Sequence, residues 1–171
     1  VAVWGDYDGP LTHPLDAMEV LAATQKLRNG RAAGIDGIPG ELLKYGGLSL
    51  ATHIAEAVNN MFITKEFIDA LGQGILIPLN KPGKPKRVGN LRPITLLTTM
   101  RKAISLVALE RIYKQVEKYL PKSQCGFRRK RSTTEIAWAY SWIKATARKY
   151  QRPIHVIGID MSRAFDCMDR N

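Results

Sequence analysis

Residues 74–97 read GILIPLNKPGKPKRVGNLRPITLL, two apolar segments on either side of a loop rich in glycine, proline and basic residues. The first segment, 74–79, is short, apolar and bounded by glycine and proline, which is typical of a strand. Residues 80–90 contain two prolines and two glycines, which argues against regular structure there. The chain becomes extended again at 91–94, because proline disfavours the α conformation in the residue before it. This stretch therefore predicts a small antiparallel β-hairpin with a basic tip.

Helical patterns lie on both sides of this hairpin in the sequence. Ser132 and Glu135 have the spacing of a capping box, which predicts the start of a helix. The near-continuous apolar run Pro153–Ile159 predicts a strand buried on both faces. This order of elements indicates an α+β fold. Apolar residues also recur at helical spacing in four other segments, which are 14–29, 41–44, 51–63 and 99–119.

Length and composition exclude several classes of protein. The chain has 171 residues, which predicts one domain or one and a half, and its 45% hydrophobic content is enough for a core. No run of about 18 apolar residues occurs, so a membrane-spanning helix is not expected. The two cysteines, Cys125 and Cys167, are too few for a disulfide scaffold and favour a reducing compartment.

The positive charge is concentrated in one part of the chain. The formal net charge is +11, and the window 81–131 contains fifteen Lys or Arg residues but only two acidic residues, a net of +13. The other 120 residues carry eleven basic and thirteen acidic groups, a net of −2. Such a concentration is expected of a protein that binds a polyanion, nucleic acid or a phosphate-rich ligand. A solvated basic surface is the alternative, and a basic helix on a membrane is disfavoured because most of these residues lie in loops.

Asp160 follows the apolar run 153–159 directly. A carboxylate at the end of a buried strand lies at the rim of a sheet, where solvent and a metal ion can reach it. Mg²⁺ prefers carboxylate oxygens and completes its shell with water and substrate phosphates. An ordinary strand-end or helix-capping aspartate is the alternative.

Four blocks of the sequence, in order, resemble motifs of reverse transcriptases. The segment 159–166 is similar to their first catalytic motif, an Asp followed four and five residues later by Ala and Phe and then by Asp. The other blocks resemble the extra N-terminal motif, the fingers hairpin and the next motif of non-LTR (LINE-type) retrotransposon enzymes. Group II intron reverse transcriptases are close relatives, but the block 92–97 is of the LINE type. The blocks that carry the resemblance are 34–39, 77–84 with 90–97, 124–128 with 131–133, and 159–166.

The resemblance implies an architecture with mostly helical fingers, the small antiparallel hairpin, and the first strand of a polymerase palm sheet. Residues 1–30 are then an N-terminal helical extension, 31–150 the fingers subdomain, and 151–171 the start of a truncated palm. The chain also lacks an initiator methionine, which suggests a segment of a longer protein.

The resemblance also implies roles in catalysis and nucleotide binding. Asp160 is the catalytic residue, a carboxylate that bridges two Mg²⁺ (or Mn²⁺) ions in nucleotidyl transfer, and Met161 lends its backbone carbonyl to the metal site. Lys81 and Arg92 match the residues that grip the triphosphate of the incoming dNTP, a role that suits an ammonium and a planar guanidinium. Phe165 matches an aromatic gate that excludes a 2′-hydroxyl, with an aromatic core residue as the alternative.

Template contacts are implied for basic side chains in two loops. Such contacts to the nucleic-acid backbone give affinity without sequence readout and make binding depend on salt. The loop around Asp36 is implied in the same role, and Lys84 could exchange roles with Lys81. For each residue alone, a plain surface charge is the alternative. The basic residues concerned are Lys84, Lys86, Arg87, Arg128, Arg129, Lys130 and Arg131.

The implied partners are an RNA template, an RNA/DNA primer duplex and dNTP, without a membrane. The implied location is intracellular, in the nucleus and/or cytoplasm. The family needs a Tyr-x-Asp-Asp turn, and no Asp-Asp dipeptide occurs in the chain. We therefore expect the isolated chain to be inactive in polymerisation and to self-associate through the exposed edge of its palm strand. A non-catalytic RNA-binding module derived from a reverse transcriptase is the alternative function. A phosphate-binding metabolic domain is disfavoured, because the glycine-rich loop at Gly34 follows a helix.

Overall fold

The computed structural model describes residues 9–83, 85–161, 164 and 168–169, which form helices and one pair of strands. The described part of the chain divides into two compact units, the first ending at Lys118 and the second beginning at Tyr119. The α+β class predicted from the sequence is confirmed. In chain order the elements are α1 (Ala17–Gln25), α2 (Gly40–Tyr45), α3 (Gly47–Thr64), α4 (Asp69–Gly72), β1 (Gly74–Asn80), β2 (Leu91–Leu97), α5 (Thr99–Tyr119) and α6 (Thr133–Lys149).

Strands β1 and β2 form the predicted antiparallel hairpin. Their register pairs Gly74 with Leu97 at the base and Asn80 with Leu91 at the outer end. In the part of the chain that the structure describes, these two strands make up the sheet. Pro78 and Pro93 face each other across the ladder. Because the sheet has two strands within the described residues, each strand has one edge without a neighbouring strand. Proline has no N–H to donate and is tolerated in such edge strands.

The core of the first unit forms where α1, α3 and the first half of α5 pack together. Val20 on α1, Ile54 and Val58 on α3, and Ala103 and Val107 on α5 are each at most 4% exposed. On each helix the buried positions recur at a spacing of three or four residues, because these spacings place side chains on one face. The hydrophobic effect of burying this face holds the three helices together.

Helix α1 is shorter than the 14–29 segment predicted from apolar spacing. It begins after Asp16, which accepts a hydrogen bond from the N–H of Met18, while Glu19 accepts the N–H of Asp16. This reciprocal capping box sets the start of the helix at Ala17, three residues after Pro14. At the other end, Lys26 and Leu27 donate to carbonyls three residues back, a tight turn that ends the helix before Asn29.

In the second unit, α6 begins at the predicted capping box. Ser132 is the N-cap, and the Glu135 carboxylate accepts its backbone N–H at 3.0 Å. The predicted strand at 154–159 is not formed, since these residues have no regular secondary structure and are exposed. The physical reason is that a strand needs a neighbour for its N–H and C=O groups, and within the described residues β1 and β2 pair only with each other. The apolar run therefore marks a segment that forms a strand only when another strand pairs with it.

Candidate nucleic-acid interface

The hairpin positions the two basic residues implied in nucleotide binding on the same face. Arg92 lies directly opposite Leu79 in the ladder. The N–H of Lys81 donates to the carbonyl of Asn90 at 3.2 Å, which extends the ladder by one residue beyond β1. Because side chains alternate between faces, Lys81 shares the face of Leu79 and hence that of Arg92. Lys81 and Arg92 are therefore diagonal neighbours, a spacing of about 7–8 Å between their backbones.

The tip of the hairpin is held by hydrogen bonds within the loop. The Asn90 side chain donates to the carbonyl of Pro85 at 2.9 Å, and the N–H of Arg87 donates to the same carbonyl at 2.8 Å. The N–H of Asn90 in turn donates to the carbonyl of Arg87. These bonds leave the side chains of Lys86 and Arg87 exposed at the end of the hairpin. Lys84 lies outside the described residues.

The described basic side chains of the hairpin carry charge that no described acidic residue neutralises. Among the described residues, no carboxylate forms an ion pair with any of these side chains, which belong to Lys81, Lys86, Arg87 and Arg92. Uncompensated positive charge on a projecting hairpin attracts anions, and phosphate groups are the ligands that Lys and Arg bind most readily. The hairpin is thus suited chemically to phosphate binding.

The glycine-rich loop 34–39 lies against the base of the hairpin. A side chain at Gly34 would meet the Cα of Thr98 at 2.5 Å, so only glycine allows this approach. Thr99 donates its hydroxyl to the carbonyl of Ile38 at 2.8 Å. Asp36 accepts the N–H of Ile38, which makes it a turn-forming residue. The loop is therefore a joint between β2, α5 and α2, a role that apolar spacing did not indicate; template contact by this loop stays a prediction.

In the second basic loop, 121–131, two arginine side chains form hydrogen bonds that hold the loop in shape. Arg128 donates from Nη1 to the carbonyls of Pro121 at 2.8 Å and Gln124 at 3.2 Å. Arg131 donates from Nη2 to the carbonyl of Lys122, and its Nη1 lies 2.9 Å from the Glu135 carboxylate. Both guanidinium groups thus satisfy loop carbonyls that would otherwise face only solvent. The resemblance implied template contacts for Arg128, Arg129, Lys130 and Arg131, but the side chains of Arg128 and Arg131 hold the loop in shape.

Three other residues of this loop, Phe127, Arg129 and Lys130, are exposed to solvent. Arg129 and Lys130 are exposed, and Lys130 has a left-handed backbone, φ +58°. Phe127 also has a positive φ, +62°, and its side chain is 92% exposed. An exposed aromatic ring next to basic residues is a common arrangement for stacking on nucleic-acid bases. The sequence analysis did not single out Phe127 as a binding residue, although its position directly before four consecutive basic residues, Arg128 to Arg131, was the available signal.

Asp160 and Met161 are exposed at the end of the second unit, with Met161 72% exposed. Within the described ranges, no three His, Cys, Asp or Glu side chains converge to hold a metal ion. One carboxylate and one carbonyl do not make a two-metal site, so the described residues by themselves do not fit the implied Mg²⁺ pair. Phe165 and Asp166 lie outside the described residues.

The candidate residues belong to two separate groups. Lys81, Lys86, Arg87 and Arg92 are part of the first unit, whereas Arg128 to Arg131, Asp160 and Met161 are part of the second. Hydrogen bonds within the hairpin and within the loop 121–131 order the basic residues locally. In the part of the chain that was described, none of the helices is both long and apolar enough to span a bilayer.

Comparison with known proteins relates the chain to a polymerase of a transposon. It is 28% identical over 162 residues to a Drosophila melanogaster protein described as "Probable RNA-directed DNA polymerase from transposon X-element". The aligned region covers 93% of this chain and 18% of that relative, so the chain spans about a fifth of the relative's length. No family model matches the chain. The similarity supports a relationship to reverse transcriptases at the level of the general family.

Proposed function

We propose that the chain forms the fingers and the beginning of the palm of an RNA-directed DNA polymerase from a non-LTR (LINE-type) retrotransposon. The observation that carries this proposal is the similarity to the transposon polymerase along 93% of the chain. The ordered motifs and the net +13 charge of window 81–131 support it independently, because a polymerase must bind the polyanionic template and the triphosphate.

In this proposal the hairpin binds the incoming dNTP. Lys81 and Arg92 share one face and have no ion pair within the described chain, so their charge is available to a triphosphate. Arg92 supplies a planar fork for two phosphate oxygens, and Lys81 supplies a point charge that follows the moving phosphates. Phe165 is proposed to select against a 2′-hydroxyl, as the motif implies.

The RNA template is proposed to contact the two basic loops. In the second loop we assign contact to Arg129, Lys130 and the ring of Phe127, and we assign loop formation to Arg128 and Arg131. At the hairpin tip, Lys86 and Arg87 add backbone contacts, and Lys84 belongs to the same basic segment. Contacts of this kind give salt-dependent affinity with little sequence preference.

Catalysis is proposed to need residues beyond those described. Asp160 and Met161 would contribute to a site for Mg²⁺ or Mn²⁺, which stabilises charge during nucleotidyl transfer. The 171 residues contain no Asp-Asp dipeptide that could provide the other carboxylates. We therefore propose that this polypeptide alone does not extend a primer, and that the working enzyme acts inside the cell, in the nucleus and/or cytoplasm, on an RNA template and RNA/DNA primer duplex.

Three measurements on the purified chain test the proposal. Fluorescence anisotropy with a short single-stranded RNA should give saturable binding that weakens steeply with salt. The double variant Lys81→Ala with Arg92→Ala should retain less labelled dNTP, while its affinity for RNA stays nearly unchanged. Primer extension with Mg²⁺ should give no product. Absence of RNA binding at low salt would overturn the proposal. DNA synthesis that depends on Asp160 would overturn the part of it that makes the isolated chain inactive.

The second candidate function is a non-catalytic RNA-binding module. It is favoured by one observation, that Asp160 has no cluster of metal-ligating side chains around it in the described residues. Both functions predict RNA binding, but they differ for Asp160→Ala placed in the longer parent protein. Loss of primer extension supports the polymerase, whereas a parent protein that never extends a primer supports the binding module.

Self-association is proposed for the segment 154–159. Its apolar side chains are exposed, with Ile157 85% and Ile159 86% accessible. Unpaired extended segments with apolar side chains pair readily with another chain. Sedimentation of the purified chain at micromolar concentration should show species heavier than the monomer, and Ile157→Lys should shift them to the monomer. A monomer throughout the concentration range would contradict this.

A further inference from the structure

A groove of about 660 Å³ crosses the first unit, between the segment after α1 and the first half of α5. The far end of β2 closes one side of it, through Leu96 and Leu97, and Gly40 at the start of α2 contributes to the lining. All the lining residues belong to the first unit, so the groove does not depend on the second. None of the residues assigned above to nucleotide or template binding lines it.

The rim of this groove is strongly basic. Lys26, Arg28, Arg31 and Lys102 line it, and among the residues that the structure describes no Asp or Glu does. Lys26 pairs with Glu110, N to O 2.5 Å, and both side chains stay partly exposed. The other three cations have no side-chain ion pair with any described residue. The groove thus favours an anionic occupant by charge complementarity.

The floor of the groove is aliphatic. Leu27, Leu106 and Leu109 contribute to it, and Leu109 is 44% exposed. Within the described part of the chain, no aromatic side chain lines the groove. Single-stranded nucleic acid is usually held by bases that stack on aromatic rings, so this floor suits aliphatic side chains better than bases.

The length of the groove matches a short helix. On α5 the lining positions are Thr99, Lys102, Ser105, Leu106 and Leu109, which lie on one face because they are three or four residues apart. From the first to the last of them the helix rises by roughly 15 Å. A partner helix of about three turns spans this distance and can place leucines on the floor and carboxylates on the rim.

We propose that this groove binds an acidic, leucine-rich helical segment of a partner protein. The leucine face of the partner covers the aliphatic floor, and its glutamates meet Arg28, Arg31 and Lys102. Burial of apolar surface supplies the affinity, and the flanking charges set the orientation of the helix. The inference does not depend on polymerase activity.

The test uses a fluorescent peptide of about 12 residues, three turns or slightly more, with leucines on one face and glutamates on both flanks. Fluorescence anisotropy with the whole chain should show saturable binding. Arg31→Glu together with Lys102→Glu should weaken binding at least tenfold, and Leu109→Ser should weaken it as well, with circular dichroism unchanged. The control Lys144→Glu with Arg148→Glu makes the same charge change on α6, outside the groove, and should bind as the wild type does.

Two further measurements identify the kind of molecule that occupies the groove. A peptide of the same composition with leucines distributed around the helix should bind at least tenfold more weakly, and equal binding would overturn the proposal because only charge would then be recognised. Single-stranded RNA should not displace the designed peptide at moderate salt. Displacement by RNA, together with equal loss of RNA affinity in the Arg31 and Lys102 variant, would assign the groove to nucleic acid and overturn the proposal.

Discussion

Arg111 and Glu19 form a two-pronged pair, in which Nε of Arg111 donates to Oε1 at 2.9 Å and Nη2 to Oε2 at 2.5 Å. The same guanidinium donates to the carbonyls of His13 at 2.6 Å and Pro14 at 2.7 Å. Arg111 lies on α5 and Glu19 on the first turn of α1. The Arg111 side chain therefore connects the N-terminal segment to α5, the long helix that follows the hairpin in the chain.

Replacing Arg111 with lysine should destabilise the first unit. Lysine keeps the charge but cannot donate to both carboxylate oxygens and two carbonyls at once, so we expect the free energy of unfolding to fall by roughly 1–2 kcal/mol. Urea denaturation followed by circular dichroism measures this change. Arg28→Lys, at an exposed position in the same unit, is the control and should leave the midpoint unchanged. An unchanged midpoint for Arg111→Lys would show that the pair contributes nothing.

The pair should also make stability depend on pH. Hydrogen bonding from Arg111 is the main cause that lowers the pKa of Glu19, partly opposed by desolvation. A carboxylate with a lowered pKa in the folded state stabilises the fold fully above the ordinary carboxyl pKa, about 4.3, and this stabilisation is lost as the pH falls through the lower folded value. The difference in unfolding free energy between the wild type and Glu19→Gln should therefore shrink between about pH 5 and about pH 2. A constant difference over this range would contradict the prediction.

Gly34→Ala should disturb the joint at the base of the hairpin. The added Cβ would lie 2.5 Å from the Cα of Thr98 and 2.6 Å from its nitrogen, and backbone cannot move aside cheaply. We expect a loss of about 1–3 kcal/mol, measured by thermal or urea unfolding. Gly72→Ala is the control, because nothing lies within 4 Å of a Cβ built there. Equal stability of the two variants would refute the close approach.

Arg128→Ala and Lys130→Ala should separate loop formation from RNA contact. Arg128 holds two carbonyls of its loop, so its removal should speed hydrogen exchange at 121–131. Lys130 is exposed on a left-handed turn, so its removal should lower RNA affinity without changing exchange in the loop. The two effects are read from the same proteins by mass spectrometry and anisotropy. Identical exchange in both variants would argue against a structural role for Arg128.

Removing the charges of the hairpin tip should change the salt dependence of RNA binding. Each phosphate contact contributes about 0.7 to the slope of log K against log salt for a single strand, so Lys86→Ala with Arg87→Ala should reduce the slope by about 1.4. RNA titrations at several salt concentrations measure the slope. Lys144→Ala with Arg148→Ala removes two charges from α6 and serves as the control. A slope equal to that of the wild type would exclude tip contacts.

Local patterns in the sequence predicted much of the secondary structure and the charged surfaces. The hairpin and the Ser132 capping box follow from short-range chemistry, namely proline and glycine placement and the three-residue spacing to Glu135. The start of α1 was predicted three residues too early, because apolar spacing does not show that Asp16 caps the helix. The strand at 154–159 was predicted from an apolar run, but strand formation depends on a partner that local sequence does not specify.

The sequence by itself determined where the basic segments lie along the chain and which ordered motifs relate it to reverse transcriptases. Only the tertiary structure decided what individual cations do. It paired Arg111 with Glu19, turned Arg128 and Arg131 toward loop carbonyls, and left Lys81 and Arg92 on one face. The physical reason is that a charge acts on whatever lies within a few ångströms of it, and residues about 90 positions apart become neighbours only when the chain folds.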